Sequence, residues 1–388
     1  MRDAMVALGR RGVDSAALVH RHSLSLKSSN ETFSAAGHTF PVVRTAMWAR
    51  LLYTPISPDF PRQLRRLIKT FKPDILHLHL PNPSVFWALV LPSALRIPWV
   101  VHWHSDVVTS SHNWRLKLFY RIYQPLERAV LKHATVIIAT SLPYRDSSIP
   151  LRPWIDKCQV VPLGVDVDRF VHASAGGSGS AGPSCTQSQS LLHDQEFPLK
   201  ILAVGRLTYY KGFRYLIEAT ARAPNIYINL VGDGDQAKEL KALAASLKVQ
   251  DRVIFHGILS DGELARQMTK ADCICLPSIE RTEAFGLVLL EAMYFGKATV
   301  VSDVTGSGMG WIIDDGVTGL KVKPADADAL ATAFEQLAAN RADLARMGER
   351  GKEKFDDQFE INHAIEGLLE LYQKIMPARL SENGNFSN

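Results

Sequence analysis

Six short runs rich in β-branched and other apolar residues recur in the second half of the chain, each followed by a stretch long enough for a turn and a helix. They are Lys200 to Val204, Ile226 to Val231, Val253 to His256, Cys273 to Leu276, Ala298 to Ser302 and Gly319 to Val322. Strands joined through helices run parallel, and nearly unbroken apolar composition marks strands covered on both faces. An α/β fold built on a doubly wound sheet is the expected result. Asp326 to Ala339 and Arg341 to Phe355 are expected to close it as helices.

The first half repeats the theme less cleanly. Met1 to Arg10, Pro61 to Phe71 and Asn113 to His133 read as helices, and Ala16 to His20, Ile75 to His79, Trp99 to His102, Thr135 to Ala139 and Gln159 to Pro162 as strands. A chain of 388 residues is too long for one ordinary core. Residues 171–190 are Gly, Ser and Ala with almost no large apolar side chain, a composition that cannot offset its own ordering entropy. The expected division is therefore a lobe over 1–170, a flexible linker over 171–195 and a second lobe over 196–358. A last helix over 359–376 is expected to return to the first lobe, ahead of a disordered tail over 377–388.

Charge separates the halves. Residues 1–170 hold 22 Lys/Arg against 11 Asp/Glu, whereas the remainder holds 22 against 28. The positive excess gathers at Arg62, Arg65, Arg66, Lys69 and Lys72, and again at Arg115, Lys117, Arg121, Arg128 and Lys132. Such rows are solvated helix faces or a surface for anionic lipid headgroups or a diphosphate-bearing acceptor. Nucleic acid is not expected as a partner, because the interleaved aromatic residues read as core. No apolar run reaches the roughly 20 residues of a bilayer span, and the opening residues do not follow the basic, apolar and small-residue order of a secretory leader, so secretion is not expected. The expected location is cytoplasmic, with peripheral contact at the inner face of the plasma membrane. Four cysteines in a chain this long do not make a disulfide framework. Cys273 and Cys275 are expected on opposite faces of a buried strand, sharing no metal.

Two segments carry candidate chemistry. The first strand of the second half runs into Gly205-Arg206-Leu207-Thr208-Tyr209-Tyr210-Lys211-Gly212. Ligands of open α/β sheets gather at the carboxyl ends of strands, where a planar guanidinium and an ammonium suit a diphosphate. The second segment is Glu283-Ala284-Phe285-Gly286-Leu287-Val288-Leu289-Leu290-Glu291. Glu283 is expected on the loop before a helix whose first amides, from Phe285 to Val288, face the same phosphate. Glu291 would sit one level down, at hydroxyl groups.

These segments, together with Pro162-Leu163-Gly164-Val165-Asp166 and the following Phe170, resemble the family 4 retaining glycosyltransferases of the GT-B fold, in order and in spacing. The resemblance implies two Rossmann-like doubly wound lobes facing across a cleft. It implies a donor site formed by Gly205, Arg206, Lys211, Glu283, Phe285, Gly286, Leu287, Val288 and Glu291. Arg206 and Lys211 would hold the donor diphosphate, Glu283 the transferred hexose and Glu291 the ribose. A histidine at a strand end of the first lobe would lie near the sugar; His104 fits that place best, with His102 as the alternative. Same-face transfer assisted by the leaving phosphate is implied, with no covalent carboxylate and no cofactor. Asp166-Val167-Asp168 spells an Asp-x-Asp element but matches a turn of the family, so no metal is expected. Partners implied are a nucleotide-sugar donor, GDP-mannose first and UDP-sugars next, and a saccharide or polyprenyl-diphosphate-linked acceptor of bacterial surface polysaccharide synthesis.

The chain departs from the family in two places. Members begin with a strand and a Gly-rich loop, whereas this sequence opens inside the first helix at Met1-Arg2-Asp3-Ala4-Met5. The N-terminal first strand is thus expected to lie upstream or to be lost, leaving neighbouring strands unpaired. The second departure is Val304-Thr305-Gly306-Ser307-Gly308-Met309-Gly310-Trp311, which replaces a Gly-Gly turn. Competing readings are a nucleotide-sugar epimerase or phosphorylase, and a truncated, catalytically impaired relative that serves as a nucleotide-sugar-binding scaffold.

Overall fold

A computed structural model describes residues 1–51, 54–107, 114–170 and 198–376. The expected linker at 171–195 and tail at 377–388 lie outside the described residues. The chain forms two compact units. One comprises Met1–Pro162 together with the segment that begins at Ile361, the other Leu163–Glu360.

The first unit contains α1 (Arg2–Gly9), β1 (Ala17–His20), β2 (Ser29–Ala35), β3 (His38–Thr45), β4 (Ala49–Leu51), β5 (Thr54–Ile56), α2 (Phe60–Phe71) and β6 (Leu76–Leu80). A 3-10 segment at Pro83–Val90 leads to α3 (Pro92–Leu95), β7 (Trp99–Trp103), α4 (Trp114–His133), β8 (Val136–Ala139), α5 (Leu142–Ser147) and β9 (Cys158–Val160). The second unit contains β10 (Leu199–Val204), α6 (Phe213–Arg222), β11 (Ile226–Val231), α7 (Ala237–Ser246), β12 (Val253–Gly257), α8 (Asp261–Lys270), β13 (Cys273–Leu276) and α9 (Leu287–Tyr294). It continues with β14 (Ala298–Ser302), α10 (Met309–Ile312), β15 (Gly319–Val322), α11 (Ala327–Ala339) and α12 (Arg341–Gln358). The last helix, α13 (Ile361–Ile375), belongs to the first unit.

The second unit is one parallel sheet in the order β12-β11-β10-β13-β14-β15. Alternation along its strands divides two cores. Ile201, Ala203 and Val300 face the core under α6, α7 and α11, whereas Leu202, Ile274, Leu276 and Val301 face the core with α8, α9 and α10. Cys273 and Cys275 both enter the first of these cores, which corrects the expectation of opposite faces: residues two apart in a strand share a face. The strand order reverses between β10 and β13, so the loops after those two strands open a crevice at their carboxyl ends.

The first unit has β6-β7-β8-β9 as a parallel sheet and β1-β3-β2 as a separate sheet in which β2 and β3 form an antiparallel hairpin. That hairpin has no counterpart among the strands read from sequence. Ile361, Ile365 and Leu368 of α13 pack with Ala7 and Leu8 of α1 and with Val100, Val136 and Ile138. The units divide at Pro162 and Leu163, ahead of the boundary read from composition. The reason is local: the Val165 amide donates to the Phe359 carbonyl at 3.1 Å, and Phe170 is buried in the core of the second unit. Val165 and Phe170 thus belong to the second core although they precede the Gly- and Ser-rich stretch.

Candidate functional site

The crevice of the second unit is sewn together by backbone contacts that only glycine permits. β10 ends at Gly205, whose amide donates to the Val231 carbonyl at 3.0 Å. A Cβ on Gly232 would stand 1.9 Å from the Gly205 carbonyl oxygen, and one on Gly234 would stand 2.3 Å from that of Leu207. The loops after β10 and β11 therefore touch main chain to main chain. Gly212, at φ 68° before α6, brings the first loop against the one after β13, where a Cβ would meet the Pro277 oxygen at 2.0 Å. The Ile279 amide donates to the Tyr210 carbonyl at 2.8 Å across the same seam.

On this frame Lys211 and Glu283 form an ion pair with side chains only 12% and 13% exposed. Glu283 lies in the loop before α9, as read from sequence, and Ser278 donates its hydroxyl to the Glu283 carboxylate at 3.3 Å. Its backbone is fixed from the Val304 to Trp311 segment that replaces the Gly-Gly turn. The Ser307 hydroxyl donates to the Glu283 carbonyl at 2.5 Å, and the Gly308 amide donates to that of Ala284 at 2.8 Å. Arg206 is exposed on the loop after β10. Phe285 and Val288 are buried and Leu287 is exposed, with Gly286 at φ 88° preceding α9. Backbone amides in a first helical turn have no intrahelical acceptor, so α9 presents donors beside the cationic loop.

Glu291 is buried on α9 and paired with Arg169. Burial pushes its carboxyl up, and the Arg169 guanidinium opposes that rise. Arg169 rests over the Phe170 ring with its guanidinium carbon 4.4 Å from the centroid, and its Nε is buried with no hydrogen-bond partner. Sequence reasoning missed this arginine, although it sits directly between the Asp-Val-Asp turn and Phe170. That turn closes through the Asp168 amide, which donates to the Asp166 carboxylate at 3.0 Å.

The first unit holds a separate constellation. His104 follows β7 directly and joins three histidines on the adjacent strands β6 and β7, His77, His79 and His102. The register pairs His79 with His102, so His77 and His104 flank them on the same face. Nδ1 of His79 lies 2.8 Å from Nε2 of His104, and Nε2 of His77 lies 3.2 Å from Nδ1 of His102. The His102 and His104 rings stack at 4.4 Å, and the Tyr372 hydroxyl of α13 lies 2.5 Å from His77 Nδ1. Burial, then the neighbouring rings, lowers the pKa of His77 to about 4 and holds His79 and His102 well below the ordinary value; burial also lowers His104 to about 4. All four rings are consequently neutral at pH 7, able to donate and accept hydrogen bonds without carrying charge. His77, His79 and His102 could each turn one nitrogen to a common metal, their ligand atoms lying within 4.8 Å of one another. The loop beyond is anchored by Asp106, whose carboxylate accepts from Trp103 Nε1 at 3.0 Å and from the Ser148 hydroxyl at 2.6 Å. His77 and His79 escaped the sequence reading, yet the His-x-His spacing of β6 is the same signal as that of His102 and His104.

Comparison with known proteins matches both halves. The family described as Glycosyl transferases group 1 matches residues 187–354, and the one described as Glycosyltransferase Family 4 matches residues 1–169. An O-antigen chain mannosyltransferase C of Escherichia coli is 28% identical over 90% of this chain and 89% of its own length. The D-rhamnosyltransferase WbpZ of Pseudomonas aeruginosa is 28% identical over 88% of this chain and 84% of its own. Among solved structures, sucrose-phosphate synthase from Thermosynechococcus elongatus shares the fold over 97% of this chain and 92% of that one, with a TM-score of 0.77 at 23% identity. Anabaena HepE in complex with UDP-glucose shares it over 82% of each chain, with a TM-score of 0.64 at 20% identity.

Proposed function

We propose, for a chain that belongs to the family 4 glycosyltransferases of the GT-B fold, that it moves a hexose, mannose first, from a nucleoside-diphosphate donor to a saccharide or polyprenyl-diphosphate-linked acceptor with retention of configuration. The observation that carries this reading is the enclosed Lys211 and Glu283 pair at the switch point of the second sheet, with Arg206 on the same loop. Lys211 and Arg206 supply positive charge to a diphosphate, and preorganised charge at a leaving group is the largest ordinary source of catalysis. Glu283 contacts the hexose hydroxyls and Glu291, held by Arg169, those of the ribose. Gly205, Phe285, Gly286, Leu287 and Val288 supply backbone and shape to the same donor.

His104 serves the sugar as a neutral hydrogen-bonding ring. The reaction needs no metal in this reading, because the two cations do the neutralising. Kinship with an O-antigen chain mannosyltransferase supports mannose as the transferred sugar, GDP-mannose as first donor and synthesis of surface polysaccharide as the setting. The enzyme works in the cytoplasm, at the membrane that holds a lipid-linked acceptor.

A thermal-shift panel of GDP-, UDP- and ADP-sugars tests the donor. A ligand at 100 times its Kd stabilises the folded state by about 2.7 kcal/mol, so GDP-mannose is expected to raise Tm and the others less. A larger shift with a UDP-sugar would move the donor assignment. Equal activity with and without chelator, and an axial product by NMR, test the metal and the stereochemistry.

A further inference from the structure

The outer surface of the first unit breaks the usual rule for a water-facing helix. α4 buries Tyr123, Glu127, Val130 and Leu131 against its own unit, and Tyr123 meets Phe86 of the Pro83–Val90 segment edge to face at 4.9 Å. Next to that buried face, Leu118, Ile122 and Leu126 are 58%, 73% and 42% exposed. Spaced four residues apart, they make one stripe about 80° wide at roughly 100° per residue. Arg121, Arg128 and Lys132 form the following row round the helix, all exposed. Trp87 and Val90, on the segment that α4 packs against, are exposed as well. α2 packs on that same segment and carries Arg62, Arg65, Arg66 and Lys69 with no carboxylate.

A core-facing stripe, an exposed apolar stripe and a basic row, in that order round one helix, describe a helix that lies in a lipid interface. Contiguous apolar side chains bordered by one sign of charge are not ordinary solvent-facing surface. The lysines and arginines have their complement in phosphate-bearing headgroups. From this juxtaposition we infer that the face formed by α4 and the Pro83–Val90 segment seats the enzyme on an anionic bilayer, with Leu118, Ile122, Leu126 and Trp87 entering the acyl boundary. The inference names the membrane surface for the proposed lipid-linked transfer and rests on that reading for its biological purpose, but its test does not depend on turnover.

The test is flotation of the full chain with vesicles of phosphatidylcholine alone or mixed with phosphatidylglycerol. Binding is expected to the mixed vesicles only, and to weaken with salt, since each basic side chain near an anionic surface is worth roughly a fivefold change in partitioning. Ile122→Glu with Leu126→Glu is expected to cut binding at least tenfold. Trp87→Ser provides an independent second variant should the first fold poorly. Arg128→Ser with Lys132→Ser should remove most of the preference for anionic lipid. Donor-induced thermal shifts are expected to be unchanged in all three, whereas a parent that shows no donor-induced shift while still floating with anionic vesicles would count against the functional reading alone. Equal binding to neutral vesicles, or retention of binding by the apolar variants, overturns the inference. So does a dimer in the parent that Ile122→Glu converts to monomer without any vesicle binding, because the face would then be a contact between copies.

Discussion

Lys211 and Glu283 illustrate what an enclosed ion pair costs and what it does. Removing two charges from water is expensive, and their attraction repays the cost only while both are present. Truncating either one leaves its partner buried without a counter-charge. Lys211→Ala and Glu283→Ala are each expected to destabilise the protein by roughly 3 kcal/mol, while the double variant loses less than the sum. Urea unfolding of the three proteins measures that coupling, and simple additivity would show that the pair is not a unit. Activity should separate the partners from a merely structural pair. Loss of a group that neutralises a leaving phosphate typically lowers kcat by about 10²- to 10³-fold, and Lys211→Ala is expected in that range. Because an ammonium is a point charge, Lys211→Arg should bind donor yet recover only part of the rate.

At the scale of elements, what could be read in the sequence follows from how each element is buried. β10 to β15 were legible because a strand covered on both faces is written as an apolar run, and the Lys211 and Glu283 loops were legible because they begin where those runs stop. The hairpin of β2 and β3 was not, since β2 is largely exposed and carries Ser29, Asn30, Glu31 and Thr32 with little alternation. Its turn also hides. Ala36 and Gly37 both take positive φ, at 52° and 78°, in a two-residue connection where Asn-Gly is the ordinary signal. An alanine there strains the backbone and erases the cue. Ala36→Gly is therefore expected to stabilise the protein by about 0.5–1 kcal/mol, and Ala36→Asn to do so by a similar amount. A denaturant midpoint that did not rise for either variant would mean that the turn is relaxed as it stands. The neighbouring histidines were half legible for the opposite reason: period two announced the strand, but only the register of β6 on β7 brings the four rings together.

For the whole molecule, that ladder of rings sets how stability answers to pH. A histidine with a folded pKa below 6.5 refuses a proton that the unfolded chain accepts. Stability is then undiminished above pH 6.5 and falls as the pH drops toward 4. Lowering the pKa from 6.5 to about 4, as burial does for His77 and His104, corresponds to roughly 3 kcal/mol per ring at the acidic end. His79 and His102 act in the same sense. Glu127 opposes them. Burial pushes its carboxyl up to about 7, so its contribution is present below pH 4.5 and is lost as the pH rises through 7. One carboxyl returns only about as much on acidification as one ring removes, so the histidines prevail. The first unit is expected to melt several degrees lower at pH 5 than at pH 7.5. Tryptophan fluorescence can follow it, because six of the seven tryptophans lie in Met1–Pro162. Replacing His77 and His104 together by Gln should flatten that dependence. If the double variant loses as much Tm on acidification as the parent, the pH sensitivity does not arise from the rings on β6 and beyond β7.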